Sequence, residues 1–185
     1  MKKIKITILS LVLTASTLVA HSQETRIKLN NDAKKSSITY AMNHPLHAWT
    51  GVSTDVSSVI VTNEAKNTIN QVAVKVTIAS FNSKNANRDS HTIEVTEALT
   101  YPSVSFASKS IEQHGDSLNI TGTLNFHGVN KIISFEATMK KANKKIEVIG
   151  NFEFNMTDYN IEPPTLMGIA ADDAIKLSFD VIYLE

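Results

Sequence analysis

The sequence predicts an all-β fold: an eight-stranded antiparallel barrel with one short helical excursion. Three observations carry that expectation. Val, Ile and Thr number 14, 19 and 18 of the 185 residues, and β-branched side chains suit the pleated, half-buried surface of a strand. Apolar and polar residues alternate with a period of two along most of the chain, which gives a strand one buried and one wet face. Short polar turn segments separate these runs, as hairpins in series require.

In chain order, Ile38, Tyr40 and Met42 alternate with Thr39 and Ala41. Thr50 to Val61 reads as a second strand with a bend near Ser57-Ser58. Val72, Val74, Val76 and Ile78 oppose Ala73, Lys75 and Thr77. Asn82 to Glu97 lacks alternation, and its Asn87-Arg88-Asp89-Ser90 stretch suits the start of a short helix near Asp89–Glu97 with Asp89 as cap. Val104 and Phe106 resume the alternation, followed by the row Leu118, Ile120, Gly122, Leu124 and Phe126. Ile133, Phe135, Ala137 and Met139 form the next row, then Ile146, Val148, Gly150, Phe152, Phe154 and Met156. Asn160 to Asp173 contains Pro163-Pro164 and reads as a loop. Ile175, Leu177, Phe179, Val181 and Tyr183 close the chain.

The first 22 residues read as an address rather than as fold. Lys2, Lys3 and Lys5 make a basic start, the stretch 6–20 is mostly apolar, and Ala20-His21-Ser22 places small residues at the −3 and −1 positions of a cleavage site. Residues 1–22 are therefore expected to be a signal peptide and 23–185 a single exported domain, periplasmic or secreted. Of the 18 basic and 18 acidic groups, three basic ones lie in the leader. The remaining body is mildly acidic, which argues against nucleic acid as a partner. The chain has no cysteine, which excludes disulfides, thiolate metal sites and a Cys nucleophile. No Gly-x-Ser-x-Gly elbow and no phosphate loop occurs. No catalytic residue, cofactor or metal is assigned.

Several stretches resemble the YceI-like family. Arg88-Asp89-Ser90-His91-Thr92-Ile93-Glu94 followed by Tyr101-Pro102-Ser103-Val104-Ser105-Phe106-Ala107-Ser108 resembles one family block. Ile120-Thr121-Gly122-Thr123-Leu124-Asn125-Phe126-His127-Gly128-Val129-Asn130-Lys131 resembles its central hairpin. Gly150-Asn151-Phe152-Glu153-Phe154 and Asp158-Tyr159-Asn160-Ile161 resemble its late strand and corner, with Asn160 where Gly is usual. The likeness runs from about Ser36 to Tyr183. It implies a lipocalin-like barrel whose interior takes polyisoprenoid or another long-chain lipid, and it implies no established enzymatic activity.

Two readings of the inward row stay open on residue pattern alone. Tyr40, Trp49, Val76, Phe106, Phe126, Phe135, Phe152, Phe154 and Phe179 either interdigitate as a solid core, the usual state of a protein interior, or line a tunnel for a lipid tail. The resemblance favours the tunnel. His44, His47, Arg88, His91 and His127 fall between strands or at their ends, where a headgroup would meet water. The alternatives are a histidine-bound metal in a barrel hydrolase, or a ligand-free interaction module. Pro163 to Met167 is an apolar stretch suited to transient membrane contact, and a homodimer is compatible with this reading.

Overall fold

The computed structural model describes residues 26–185. The stretch read as a signal peptide, 1–22, lies outside the described residues. One sheet contains ten strands: β1 Arg26–Asn30, β2 Ser37–His44, β3 His47–Ser53, β4 Val56–Asn63, β5 Thr68–Thr77, β6 Ser103–His114, β7 Ser117–Phe126, β8 Val129–Ala142, β9 Lys145–Asn155 and β12 Ala174–Leu184. Their order is β1-β4-β5-β6-β7-β8-β9-β12-β2-β3. A separate pair, β10 Thr165–Leu166 and β11 Ile169–Ala170, forms a small hairpin. One helix, α1 Ala86–Val95, lies between β5 and β6.

The sheet curls on itself. β3 and β4 are one chain path interrupted at Thr54-Asp55; β3 pairs with β2 while β4 pairs with β5. This path joins the two sides of the sheet. β1 lies against β4, and Asn31 just beyond it bridges Tyr183 of β12. Ser58 Oγ and the Tyr183 hydroxyl meet at 2.6 Å between β4 and β12. All pairing is antiparallel, as hairpins in series impose. The tight turns after β7 and β8 put His127 and Gly128, then Asn143 and Lys144, at positive φ, the handedness that matches strand twist.

Four expectations need correction. The expected eight strands become ten in the main sheet. The stretch Thr50–Val61 is split into β3 and β4, and β1 was missed because its five residues are only half-buried on alternate positions. The bend lies at Thr54-Asp55 rather than Ser57-Ser58, because Ser53 turns the chain by accepting Asp55 N–H and contacting Ser80 Oγ at 2.6 Å. The Asn160–Asp173 segment carries the β10–β11 hairpin. The helix begins at Ala86, capped by Asn85 Oδ1 accepting Arg88 N–H at 3.1 Å, while Asp89 accepts Ser83 N–H.

Inward residues behave as the alternation requires. Leu118, Leu124, Ile60, Ile69 and Tyr183 are buried. Three mid-strand glycines leave room for rings. An added Cβ would come within 2.3 Å of Tyr40 at Gly51, 2.3 Å of Phe106 at Gly122 and 2.5 Å of Phe179 at Gly150. Rings thus replace the missing side chains.

Candidate ligand cavity and its mouth

The interior is not solid. A cavity of about 80 Å³ lies within the barrel, well above the 10–15 Å³ or so that one water requires. Its walls include Ile38, Val76, Phe106, Phe135, Phe152 and Phe179. Phe135 stacks on Phe152 at 4.8 Å and meets Phe106 at 5.3 Å and Phe179 at 5.8 Å between ring centroids. Few polar atoms reach this space, and the Tyr183 hydroxyl is already held by Ser58. Such walls give water no partners, so the cavity suits apolar atoms. Phe126 and Phe154 are not at this wall. They pack on Tyr159 at 5.6 and 5.3 Å between ring centroids, because the 3-10 turn Thr157–Tyr159 buries that ring.

A second cavity of about 80 Å³ lies under α1, lined by Tyr40, Met42, Trp49, Arg88, His91 and Pro164 among others. Ile38 of the inner cavity and Tyr40 of this one are alternate residues on β2, about 7 Å apart along the strand. The Arg88 guanidinium lies 5.4 Å from the centre of the Trp49 ring, a cation–π contact that holds a permanent charge at the mouth. The mouth therefore pairs a fixed cation and an imidazole with aromatic and thioether walls.

Arg88 and His91 come together with Tyr40 and Trp49 in the lining of the cavity under α1. His47 stands one ring further out, 5.3 Å from Trp49 and 5.6 Å from His44. His44 is buried and both its nitrogens are engaged: Nδ1 accepts Leu46 N–H at 3.1 Å and Nε2 lies 3.0 Å from Ile169 O. That pattern assigns the neutral tautomer with its proton on Nε2. His44 thereby ties the β2–β3 turn to the β10–β11 hairpin. His127 lies elsewhere, with Nδ1 2.9 Å from Tyr159 O and Nε2 3.6 Å from Glu97 Oε2. Among the described residues, no three His, Cys, Asp or Glu side chains come together as a metal set.

The perturbed ionisations lie away from the mouth. Burial pushes the phenols of Tyr159 and Tyr183 up to about 12, with Asp158 adding to the effect at Tyr159. Burial and then Glu147 raise the Asp180 carboxyl. Sequence reasoning missed Met42, Thr92, Met156 and Pro164 at the mouth, because their grouping depends on how α1 folds over β2.

A curled antiparallel barrel with an apolar chamber and a charged mouth defines a hollow-barrel class of the lipocalin-like type. The chain belongs to the YceI-like domain family, whose model matches residues 29–183. It is 27% identical over 136 residues to the protein YceI of Salmonella newport (strain SL254), covering 72% of this chain and 69% of that one. Three solved structures share the fold. They are BcnA of Burkholderia cenocepacia (TM-score 0.73, 18% identity, 82% of this chain and 98% of the other), a polyisoprenoid binding domain from Saccharophagus degradans implicated in plant cell wall breakdown (0.68, 15%, 84% and 97%), and a YceI protein of Campylobacter jejuni (0.62, 23%, 100% and 99%).

Proposed function

We propose that this protein binds a long-chain apolar molecule, a polyisoprenoid or a fatty-acid-like lipid, and carries or stores it outside the cytoplasm. The observation that carries this reading is the succession along β2 of a phenylalanine-walled cavity and a mouth holding Arg88 and His91. The tail lies in the first and a polar end meets the second. The similarity in fold to a polyisoprenoid binding domain supports the same class of ligand. The chemistry required is binding, not turnover.

The cavity of about 80 Å³ is smaller than a long chain, so full entry requires its aromatic walls to move apart. Burying roughly 600 Å² of tail is then worth on the order of 15 kcal/mol gross. Association and ordering remove about 4–15 kcal/mol of it. A membrane solvates the tail as well as the cavity does, so selectivity rests on cavity shape and on the groups at the mouth. Leu46, Leu166, Met167 and Ile169 are exposed on the two turns tied by His44. They form the surface that would touch a bilayer during loading. No helix among the described residues is long and apolar enough to cross a membrane.

Organic extraction of protein purified without denaturation tests the reading. A long-chain lipid recovered in near-stoichiometric amount supports it. Extracts that contain none, from protein made in cells with an ordinary lipid supply, contradict it.

A further inference from the structure

We infer that the apolar chain enters and leaves through the barrel wall, between β5 and β6, rather than past α1. This rests on the proposed cavity-binding function and adds the route. β5 and β6 share a backbone ladder only where Ala73–Thr77 meets Ser103–Ala107. Beyond Ala73 the strands continue, to Thr68 on one bank and His114 on the other, with side chains replacing the ladder. Val72 N–H donates to Ser108 Oγ at 2.9 Å, and Ile69 N–H donates to Gln113 Oε1 at 3.0 Å. Gln113 Nε2 donates in turn to Asn67 O and Gly115 O. The seam is one serine side chain wide at one end and one glutamine side chain wide at the other.

Both banks are also bent at this level. The β4–β5 register shifts between Val61 and Thr62, leaving Asn70 as the extra residue of β5. The β6–β7 register shifts between Ser108 and Ser110, leaving Lys109 as the extra residue of β6. A bulge bends its strand and recurs beside functional openings. The inner edges of the seam are Ile69, Val72 and Ile111, and all three line the cavity. Rotation of two side chains, Ser108 and Gln113, therefore parts the wall where the cavity reaches it, with no ladder broken.

The α1 end is held more firmly. Asn85 caps the helix, Asp89 fixes Ser83, and Val52 and Asn82 exchange two backbone hydrogen bonds of 3.1 and 3.0 Å. The Val52–Asn82 pairing would have to break for the segment leading into α1 to swing away.

The chain has no cysteine, so paired cysteines can lock the seam selectively. Gln71 and Lys109 are exposed on the two banks, while Ala73 and Ala107 are exposed register partners within the ladder. The probe is cis-parinaric acid, a fatty acid whose fluorescence rises in an apolar site. In Gln71→Cys/Lys109→Cys joined by a short cleavable thiol cross-linker, uptake and release should slow by roughly tenfold or more, as when a gating motion limits exchange. The amount bound at equilibrium should not change, and cleaving the linker should restore the rates. Ala73→Cys/Ala107→Cys, joined in the same way, should exchange as the unlinked protein does. Gln113→Ala should speed uptake and release together. Unchanged rates in the linked Gln71→Cys/Lys109→Cys protein, with normal binding, would overturn the route alone. Failure of the unlinked protein to bind the probe would overturn the cavity reading and the route with it.

Discussion

The ring of Tyr40 fills the space that a side chain at Gly51 would need. A Cβ on Gly51 would stand 2.3 Å from Tyr40 Cε1 and 2.9 Å from its hydroxyl oxygen. The two residues are register partners of β2 and β3, and the nearest obstruction is side chain alone. At Gly122 an added Cβ meets both Phe106 Cζ at 2.3 Å and the backbone oxygen of Ala107 at 2.5 Å. Gly51→Ala should cost about 1–3 kcal/mol by overpacking, and adding Tyr40→Leu should recover most of that. Gly122→Ala should cost more, and Phe106→Leu should not rescue it, because backbone cannot step aside. Urea unfolding of the single and double variants checks this; equal rescue at both sites would contradict it.

Alkaline pH should unfold the barrel through Tyr183. Its phenol is buried against Ser58 and ionises at about 12 in the folded state, against about 10 in the unfolded chain. Below pH 10 both states hold the proton and the contribution to stability is fully present. Between pH 10 and 12 the unfolded chain releases its proton first, so stability falls as pH rises, by on the order of 2–3 kcal/mol in all. Tyr159 acts in the same direction. Urea midpoints measured from pH 8 to 12 should decline over that window, and Tyr183→Phe should flatten part of the decline. A midpoint that is level across the window would contradict the burial of these hydroxyls.

Polar-end discrimination should depend on Arg88 and His91 and not on His44. Arg88→Ala or His91→Ala should weaken binding of a carboxylate-ended chain by roughly tenfold, since the charge-assisted contact is lost. An alcohol-ended chain of equal length should bind nearly as before. His44→Ala should instead lower stability, because it unties the β10–β11 hairpin from the β2–β3 turn. Chelators should change neither binding nor melting temperature. Titration of the two ligands against each variant separates these roles, and an equal loss for both ligands would remove Arg88 from the headgroup site.

Export should end with cleavage after Ser22. N-terminal sequencing of protein recovered from the periplasm or medium should begin at Gln23, and an intact Met1 in exported protein would contradict the leader assignment.

How much of this was legible depends on which structural scale each feature occupies. Period-two alternation assigns faces strand by strand, so it puts Val76, Phe106, Phe135, Phe152 and Phe179 on the inward row, where they line the cavity, but it does not distinguish a filled interior from a hollow one. Pairing across the curl is not local. That Gly51 faces Tyr40, or that Ser58 reaches Tyr183 across 125 residues, cannot be read from either strand alone. Phe126 and Phe154 carry the same pattern as the wall residues, yet they pack on Tyr159, because a 3-10 turn later in the chain fills the space before them. The histidines fared similarly. All were expected at strand ends, but only the fold of α1 over β2 distinguishes His91 in the mouth from His44 and His127, whose ring nitrogens serve backbone carbonyls.

The central claim is that the barrel interior holds an apolar chain between Phe135, Phe152 and Phe179. Native mass spectrometry of the gently purified protein, beside Phe152→Glu and Phe152→Leu, addresses it most directly. The wild type should carry a single lipid-sized adduct that dissociates on collisional activation. Phe152→Leu, which alters shape at little cost, should keep an adduct but shift its chain length. Phe152→Glu should carry none, since an unpaired charge in that cavity is expensive. Wild-type protein that flies bare under the gentlest conditions, or an adduct that Phe152→Glu retains unchanged, would contradict the account.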